Sequence, residues 1–207
     1  MTKLHCVILF SDKYCTFNQA NATKRGVNTY KTKGEVVVEN STISRLLELI
    51  GKVTIPATGV PFIARESFVV GTSPDAPVKI SFIGTNFTAW FGAKTEGPHA
   101  QTDIYYFQLL EFSVGGLIIA ELGGEEKAET KLVEIYALIE NQRNGEQGIL
   151  LTNSDANVFV VHDVNGVLRV VNVRWDYGGW RLSAYSVEVS YGWGAGGQVF
   201  SRNSLLL

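Results

Sequence analysis

Residues Val167 to Leu207 restrict the possible fold more than any other part of the chain, because apolar and polar side chains alternate there. The alternation is clearest in Trp180, Arg181, Leu182, Ser183, Ala184 and Tyr185. Successive side chains of a β-strand point to opposite faces, so the first, third and fifth of these are predicted to face a core and the others an open surface. Asn172, Arg174 and Asp176 have the same spacing one strand earlier. An ordinary amphipathic antiparallel sheet with one solvated face gives the same pattern.

The residues on the predicted open face share a property of the genetic code rather than a chemistry. Each can be encoded by a codon ending in C, whereas Trp, Glu and Gln cannot. The codon-permissive positions are Asn172, Arg174, Asp176, Tyr177, Arg181, Ser183, Tyr185, Val189, Tyr191, Gly194 and Gly197. They are interleaved with large or chemically committed residues, namely Trp175, Trp180, Glu188, Trp193, Gln198, Phe200 and Arg202. The pattern indicates a fixed scaffold carrying positions that began as the codon AAC and had their adenines replaced. The mixture of Tyr, Ser and Gly is typical of antibody-like surfaces.

This segment resembles the variable region of the archaeal variable proteins of diversity-generating retroelements. The matching residues are Ala156 to Val161, Asn165 to Leu168, Trp175, Gly179, Trp180, Ala184 to Val187, Trp193 and Gln198 to Ser204. Several fixed residues recur between codon-permissive ones, which makes the pattern moderately specific. The preceding three-quarters of the chain carries no motif that matches the family.

The resemblance implies an α+β fold: one C-type-lectin-like domain over residues 1–207, with two helices, antiparallel strands and a variable-region meander at about 167–207. It implies a receptor-like, ligand-binding protein with a hypervariable surface and no enzymatic chemistry. The expected ligand-binding residues are the codon-permissive positions together with Gly178. The expected scaffold residues are Trp175, Trp180, Trp193 and Phe200. The calcium-binding motifs of sugar-binding lectins are absent from the sequence, so calcium-dependent carbohydrate binding is not expected.

Two roles stay open for some of these residues. Gly178, Gly194 and Gly197 either shape a pocket or satisfy a turn that needs glycine. Trp193 is either a scaffold anchor or a ligand contact. Arg174, Tyr177, Arg181, Tyr185 and Tyr191 are the best candidates for binding energy, since Tyr and Arg dominate interface hot spots.

Two segments are predicted to be helices. Ser41–Gly51 has cap residues in front, a glycine behind and apolar residues at helical spacing. Glu125 to Arg143 begins with acidic residues, which suit a helix N-terminus, and ends at an Asn-Gly pair. Strands are predicted at Leu4–Phe10, Glu35–Glu39, Val78–Ile83, Asn86–Phe91, Asp103–Phe107, Val158–His162, Val167–Arg174, Trp180–Val187 and Gln198–Ser201. Asn165-Gly166 is a strong hairpin signal, and Gly192–Gly197 is predicted to be a loop.

Composition excludes several classes of partner. The net charge is −2 with dispersed Lys and Arg, which argues against a nucleic-acid binder. The longest apolar tract, Tyr105 to Leu122, contains Gln108, Glu111 and Glu121 and is not expected to span a membrane. The run Leu4–Phe10 is too short for a signal peptide. We expect a monomer whose partner is a protein or surface ligand of unknown identity, and localisation stays open.

Catalytic constellations are absent from the sequence. His162 beside Asp163 suggests acid–base chemistry, but an aspartate in a turn after a strand histidine is commonplace. Cys6 and Cys15 are interpreted as two thiols, with their pairing left open, and no metal or cofactor is expected. The leading hypothesis is therefore diversified ligand binding. The alternative is an invariant β-rich attachment or structural module of a virus or cell surface. An enzyme on a related scaffold is the third, less favoured possibility.

Overall fold

The computed structural model describes residues 45–188 and 191–203, together with two short strands nearer the N-terminus. The chain divides into two compact units, residues 1–43 and 44–207. In the first unit, β1 (Thr29–Thr32) pairs antiparallel with β2 (Glu35–Val38), which agrees with the strand predicted at Glu35–Glu39. The predicted strand Leu4–Phe10 lies outside the described residues, as do Cys6 and Cys15.

The second unit contains the remaining strands and helices. The strands are β3 (Leu47–Ile55), β4 (Phe62–Ile63), β5 (Ile80–Ile83), β6 (Thr95–Glu96), β7 (Thr102–Leu109), β8 (Ser113–Val114), β9 (Asn157–His162), β10 (Leu168–Asp176), β11 (Gly179–Ser186), β12 (Gly192–Trp193) and β13 (Gln198–Ser201). The helices are α1 (Ala64–Ser67), α2 (Thr85–Phe91), α3 (Gly115–Glu121), α4 (Glu125–Ala128) and α5 (Leu132–Asn141).

A seven-stranded sheet forms the centre of this unit, in the order β3-β7-β13-β9-β10-β11-β5. Neighbouring strands are antiparallel except for the pairs β13–β9 and β11–β5, which are parallel. The pairs β4–β6 and β8–β12 form two further small sheets. The fold is therefore mixed α+β with a large, mostly antiparallel sheet and few helices, in agreement with the predicted class.

The central strands are covered on both faces. Along β9, Phe159 and Val161 belong to one apolar cluster, which includes residues of α1, α2 and α5. Val158 and Val160 alternate with them and belong to a second cluster, which includes residues of α3 and α4. All four side chains are fully buried. On the side of the sheet that carries the second cluster, the side chains of β10 and β11 are therefore exposed only beyond the last residues of that cluster.

The C-terminal meander has the predicted strands. The strand predicted at Gln198–Ser201 is confirmed with the same bounds, and β9, β10 and β11 agree with their predictions to within two residues at each end. The predicted hairpin joins β9 to β10, and Gly166 has a φ of 74° in its turn. Asn165 has no positive φ, so only one of the two turn residues needs that conformation.

The prediction of a helix at Ser41–Gly51 is wrong for its described part, because residues 47–51 belong to β3 and the two described residues before them are not helical. Burial along β3 alternates with a period of two from Leu47 to Ile55, and Ile50, expected on the buried stripe, is 48% exposed. Leu47, Leu49, Val53 and Ile55 also fit strand spacing. Antiparallel pairing with β7 along its whole length makes this segment a strand rather than a helix, because tertiary contacts override local propensity.

The strand predicted at Asn86–Phe91 is also wrong, since this segment is α2. Phe87 and Phe91 lie four residues apart on one helical face, are buried, and pack ring to ring at 5.2 Å. Its run of β-branched and aromatic residues suggested a strand, but the spacing of the two phenylalanines is helical.

The helix predicted from Glu125 to Arg143 is two helices, α4 and α5. The break lies at Thr130, whose N–H and Oγ1 both donate to the carbonyl oxygen of Val160, at 2.7 and 3.0 Å. The Glu96 carboxylate then caps the new N-terminus by accepting the N–H groups of Leu132 and Val133. The predicted buried stripe of α5 is correct, because Leu132, Ile135 and Ile139 are fully buried and Tyr136 is half-buried.

Candidate functional site

The register of β10 and β11 brings the predicted site residues together in pairs. Asn172 lies opposite Ser183, and Arg174 lies opposite Arg181. Because directly opposed residues share a face, these four side chains lie on one side of the hairpin. The other side is the core: Trp180, Leu182 and Ala184 are buried, as the alternation predicted.

A cleft of about 150 Å³ opens at one end of this face. Six of the predicted binding or scaffold residues line it together, namely Asn172, Arg174, Tyr191, Trp193, Gly194 and Gly197. The other lining residues are Ser154, Asp155, Ala156, Gly192 and Ala195. Strand β10 thus supplies the floor, and the segments before β9 and around β12 supply the walls.

The segment before β9 contributes residues that the sequence reasoning missed. Ser154 has a φ of 70° and its carbonyl oxygen accepts a 2.8 Å hydrogen bond from Nε of Arg174. The Asp155 carboxylate accepts from Nδ2 of Asn153 at 2.8 Å, while the Asp155 N–H donates to Oδ1 of the same asparagine. Turn-forming residues in a row were visible in the sequence. Their place beside the cleft depends on β9 lying next to β10, which the local pattern does not reveal.

The predicted loop Gly192–Gly197 begins as a strand instead. Gly192 and Trp193 form β12, which pairs with Val114 and Ser113 of β8. A two-residue strand has no periodicity by which to recognise it, so the sequence alone does not predict β12. The pairing fixes Trp193 at the cleft wall.

An aromatic cluster borders the cleft. The rings of Tyr185 and Tyr191 are stacked, with centroids 4.5 Å apart and an interplanar angle of 5°. Trp193 meets both edge to face, at 6.0 and 5.8 Å. Burial raises the pKa of the Tyr185 hydroxyl and the adjacent Tyr191 adds to the rise, whereas Ser183 and the Arg174 guanidinium oppose it. Tyr185 therefore stays a neutral hydroxyl at neutral pH, close to Arg174.

Two buried polar atoms of cleft residues have no hydrogen-bond partner among the described residues. They are Oδ1 of Asn172, an acceptor, and Nε1 of Trp193, a donor. Their residues are only 5% and 4% exposed. An unpaired buried polar group costs free energy, so a ligand that pairs with either group recovers that cost.

The position of Trp193 fits both of the roles that the sequence left open. It is a member of the second apolar cluster and it lines the cleft. The other scaffold candidates are buried or half-buried. Phe200 stacks on Phe159 at 4.4 Å, Trp180 donates from Nε1 to the carbonyl oxygen of Gln142 at 2.9 Å, and half-buried Trp175 meets Trp180 edge to face at 5.3 Å.

The remaining predicted residues lie outside the cleft lining. Asp176 ends β10, and Tyr177 and Gly178 form the turn to β11, where Tyr177 is 82% exposed. The Arg181 guanidinium lies over the ring of Phe82 at 4.4 Å and is 5.5 Å from the ring of Tyr177. Ser183 and Tyr185 continue the strand face without lining the cleft. Val189 lies outside the described residues.

The three glycines differ in what they require. Gly178 has a φ of 73°, so the turn itself favours glycine there. Gly194 has ordinary backbone geometry, and a Cβ added to it would meet nothing within 4 Å. A Cβ on Gly197 would lie 3.3 Å from the carbonyl oxygen of Ala156, which is tight. Of the three, only Gly194 has both open space for a side chain and a backbone without a positive φ.

The charged residues singled out elsewhere have structural partners. His162 Nδ1 lies 3.0 Å from Oε1 of Glu129, while Asp163 accepts hydrogen bonds within its hairpin turn and from Arg169. Among the described residues, no three His, Cys, Asp or Glu side chains are grouped closely enough to hold a metal ion. Within residues 45–188 and 191–203, each helix is too short or too polar to cross a bilayer.

Comparison of the chain with family models, curated proteins and solved structures finds no match.

Proposed function

We propose that this protein binds a ligand through a surface that a diversity-generating retroelement varies by adenine-directed mutagenesis. The observation that carries the proposal is the burial of the large apolar residues that separate the codon-permissive positions. Trp180, Trp193 and Phe200 are at most 4% exposed, while the other fixed residues, Trp175, Gln198, Arg202 and Glu188, are partly or fully exposed. Most described codon-permissive residues are partly or fully exposed, on the β10–β11 hairpin or around the cleft.

This division has an energetic consequence. Replacing a fully buried tryptophan or phenylalanine by a small residue costs about 3–5 kcal/mol, a large fraction of a domain's stability. Substitutions at surface positions usually change stability by about 0.5 kcal/mol or less. A surface built in this way can change its chemistry many times without unfolding the protein that carries it.

We also propose that the second unit has a C-type-lectin-like fold. Its α+β class and its mostly antiparallel sheet support this proposal. It is supported also by the position of the cleft, which lies where loops meet strand ends on a rigid sheet. Recognition sites commonly occupy such positions.

The test is to sequence this gene deeply across a population of its source. We expect differences to cluster at the first and second bases of codons for exposed positions such as Arg174, Tyr177 and Arg181. The codons of Trp180 and Trp193 should be unchanged. Asn172 and Gly197, which are buried, should accept fewer residue types than Gly194, because the space around them is smaller.

The codons of Leu132 and Ile135, both fully buried in α5, provide the background rate. Variation at the codon-permissive positions that does not exceed this background contradicts diversification. That outcome favours the alternative, an invariant β-rich attachment or structural module, in which the same residues are fixed by a single partner.

A further inference from the structure

The cationic side chains on the β10–β11 face lack carboxylate partners. Arg174 and Arg181 lie directly opposite each other, and neither forms an ion pair with any described residue. Like charges at opposed positions of neighbouring strands destabilise a sheet. Arg181 is turned onto the rings of Phe82 and Tyr177, which leaves Arg174 as the cation of the cleft. An anionic ligand group would relieve the repulsion.

Arg174 is held in place with its binding groups free. Its Nε donates to the carbonyl oxygen of Ser154 at 2.8 Å, which fixes the plane of the guanidinium. Its two Nη groups donate to no described residue. A fixed, planar guanidinium with free donors matches a carboxylate, whose two oxygens accept parallel hydrogen bonds.

The cleft also contains acceptors, which restricts the anion further. Asp155 lines it without pairing to Arg174, and Oδ1 of Asn172 is buried and unpartnered. Both groups can accept hydrogen bonds from N–H or O–H donors of a ligand, and the Asn172 oxygen has no other partner among the described residues. A phosphate diester has no N–H or O–H donor to offer these acceptors. A peptide segment brings carboxylates and backbone N–H groups together.

The size of the cleft points to one side chain rather than a whole small molecule. Its volume of about 150 Å³ corresponds to about five waters at ~30 Å³ each. Pockets for complete small ligands are about 300–1,000 Å³. The stacked Tyr185 and Tyr191 rings provide an apolar border for the methylene groups of the same side chain.

We propose that the cleft receives the carboxylate of an acidic residue in a peptide segment of a protein partner, with Arg174 as its principal donor. The proposal rests on the proposed function, because it names the ligand chemistry of the same surface. The N–H of Trp193 is the second donor available for this carboxylate, and Asp155 and Asn172 accept from the backbone of the segment.

The experiment is a titration followed by ¹H–¹⁵N NMR, with N-acetylglutamate N-methylamide as the probe. The chain has four tryptophans, so the indole N–H signal of Trp193 is readily assigned by comparison with Trp193→Phe. We expect saturable shifts of this signal and of the Gly194 and Ala195 amides. The isosteric glutamine probe should bind at least tenfold more weakly, since it lacks the charge.

Arg174→Gln should reduce binding of the glutamate probe to the level of the glutamine probe, and Arg174→Lys should retain part of it. Arg65→Gln is the matched control, because Arg65 is an exposed cation on α1 and outside the cleft lining. It should leave binding unchanged. The amide spectrum of each variant also shows whether it is folded.

Three results would overturn the proposal: equal binding of the two probes, equal effects of the two Gln variants, or tighter binding of inorganic phosphate at matched ionic strength. The last would identify a phosphate-bearing ligand instead. The titration is independent of the population sequencing. If the codons vary but the glutamate probe does not bind, only the carboxylate proposal is refuted. If the glutamate probe binds but the codons are invariant, only diversification is refuted.

Discussion

Tyr177 occupies a backbone conformation that its side chain disfavours. Its φ is 52°, next to Gly178 at 73°, so both central residues of this two-residue turn are left-handed. Turns of this kind favour Asn-Gly, because asparagine tolerates the left-handed region and other branched or bulky residues do not. Asparagine is also what the codon AAC encodes. Asparagine, from which the proposed diversification starts, therefore suits this turn better than the tyrosine now present.

Tyr177→Asn is expected to stabilise the protein by about 1 kcal/mol, because the strain is relieved while the 82% exposed ring loses only its 5.5 Å contact with the Arg181 guanidinium. Urea unfolding gives the change as a shift of the midpoint. Tyr177→Ala is the control: it removes the same exposed ring, but alanine is disfavoured in the left-handed region as tyrosine is. An equal gain there would attribute the effect to removal of an exposed ring rather than to backbone strain.

The C-terminal strands could be predicted because their alternation and turn residues agree with their environment. Segments whose apolar residues fit both helical and strand spacing could not be predicted. At the start of β3, Leu47 and Ile50 with the preceding Leu46 fit helical spacing, while Leu47, Leu49 and Val53 fit strand spacing. Only pairing with β7 makes the segment a strand. The cleft shows the same limit. Arg174 and Gly194 were predicted site residues, but Asp155 is added by the order of strands in the sheet.

The β9–β10 hairpin depends on Asp163. Its Oδ1 accepts from the N–H groups of Asn165 and Val167 at 2.8 and 3.0 Å, and its Oδ2 accepts from Nε of Arg169 at 2.9 Å. Burial raises the pKa of this carboxyl, but these hydrogen bonds outweigh burial and hold the pKa below its usual value. A lowered folded-state pKa means that the stabilisation is present above the ordinary value and is lost as pH falls through the folded value.

Asp163→Asn is therefore expected to lower the free energy of unfolding by about 1–3 kcal/mol at neutral pH, because the new amide N–H groups face the Arg169 donor. The difference from the unmodified protein should shrink below the ordinary aspartate pKa of about 3.9. Urea unfolding at several pH values measures both effects. Asp75→Asn, in an exposed loop, should change neither. A pH-independent cost would show that the carboxylate charge is not what stabilises the turn.

The end of the variable segment after β13 is tied to the rest of the second unit by polar contacts with a buried carboxylate. After β13, Arg202 donates from Nε and Nη2 to Oε1 of Glu134 at 2.9 and 2.6 Å. Glu134 is 1% exposed on α5, and its Oε2 accepts from the N–H of Lys131 at 2.7 Å. His99 Nε2 lies 3.5 Å from the same Oε1. The chain can thus change its chemistry along the β10–β11 hairpin while its end stays attached to the helical layer.

Burial raises the pKa of Glu134, although Arg202 and the Lys131 N–H oppose the rise. A raised carboxyl pKa favours the folded state most below the ordinary glutamate pKa, and this advantage is lost as pH rises through the folded value. Removing Arg202 leaves the charge buried without its main partner and raises this pKa further. We therefore expect Arg202→Ala to cost about 3 kcal/mol at neutral pH, the lower end of the range for breaking a buried pair, since Arg202 is partly exposed.

The double variant Arg202→Ala with Glu134→Gln should recover much of this stability, because a neutral amide needs no counter-charge. The cost of Arg202→Ala alone should also fall as pH is lowered and Glu134 takes up a proton. Burial, together with Lys131 and Arg202, lowers the pKa of His99, so loss of Arg202 also makes His99 easier to protonate beside Glu134. Thermal and urea unfolding across pH measure these changes, with Lys52→Ala, which removes the cation of an exposed pair, as the control. If the double variant is as unstable as Arg202→Ala, Arg202 acts by packing rather than by compensating the buried carboxylate, and the end of the variable segment is held by apolar contacts.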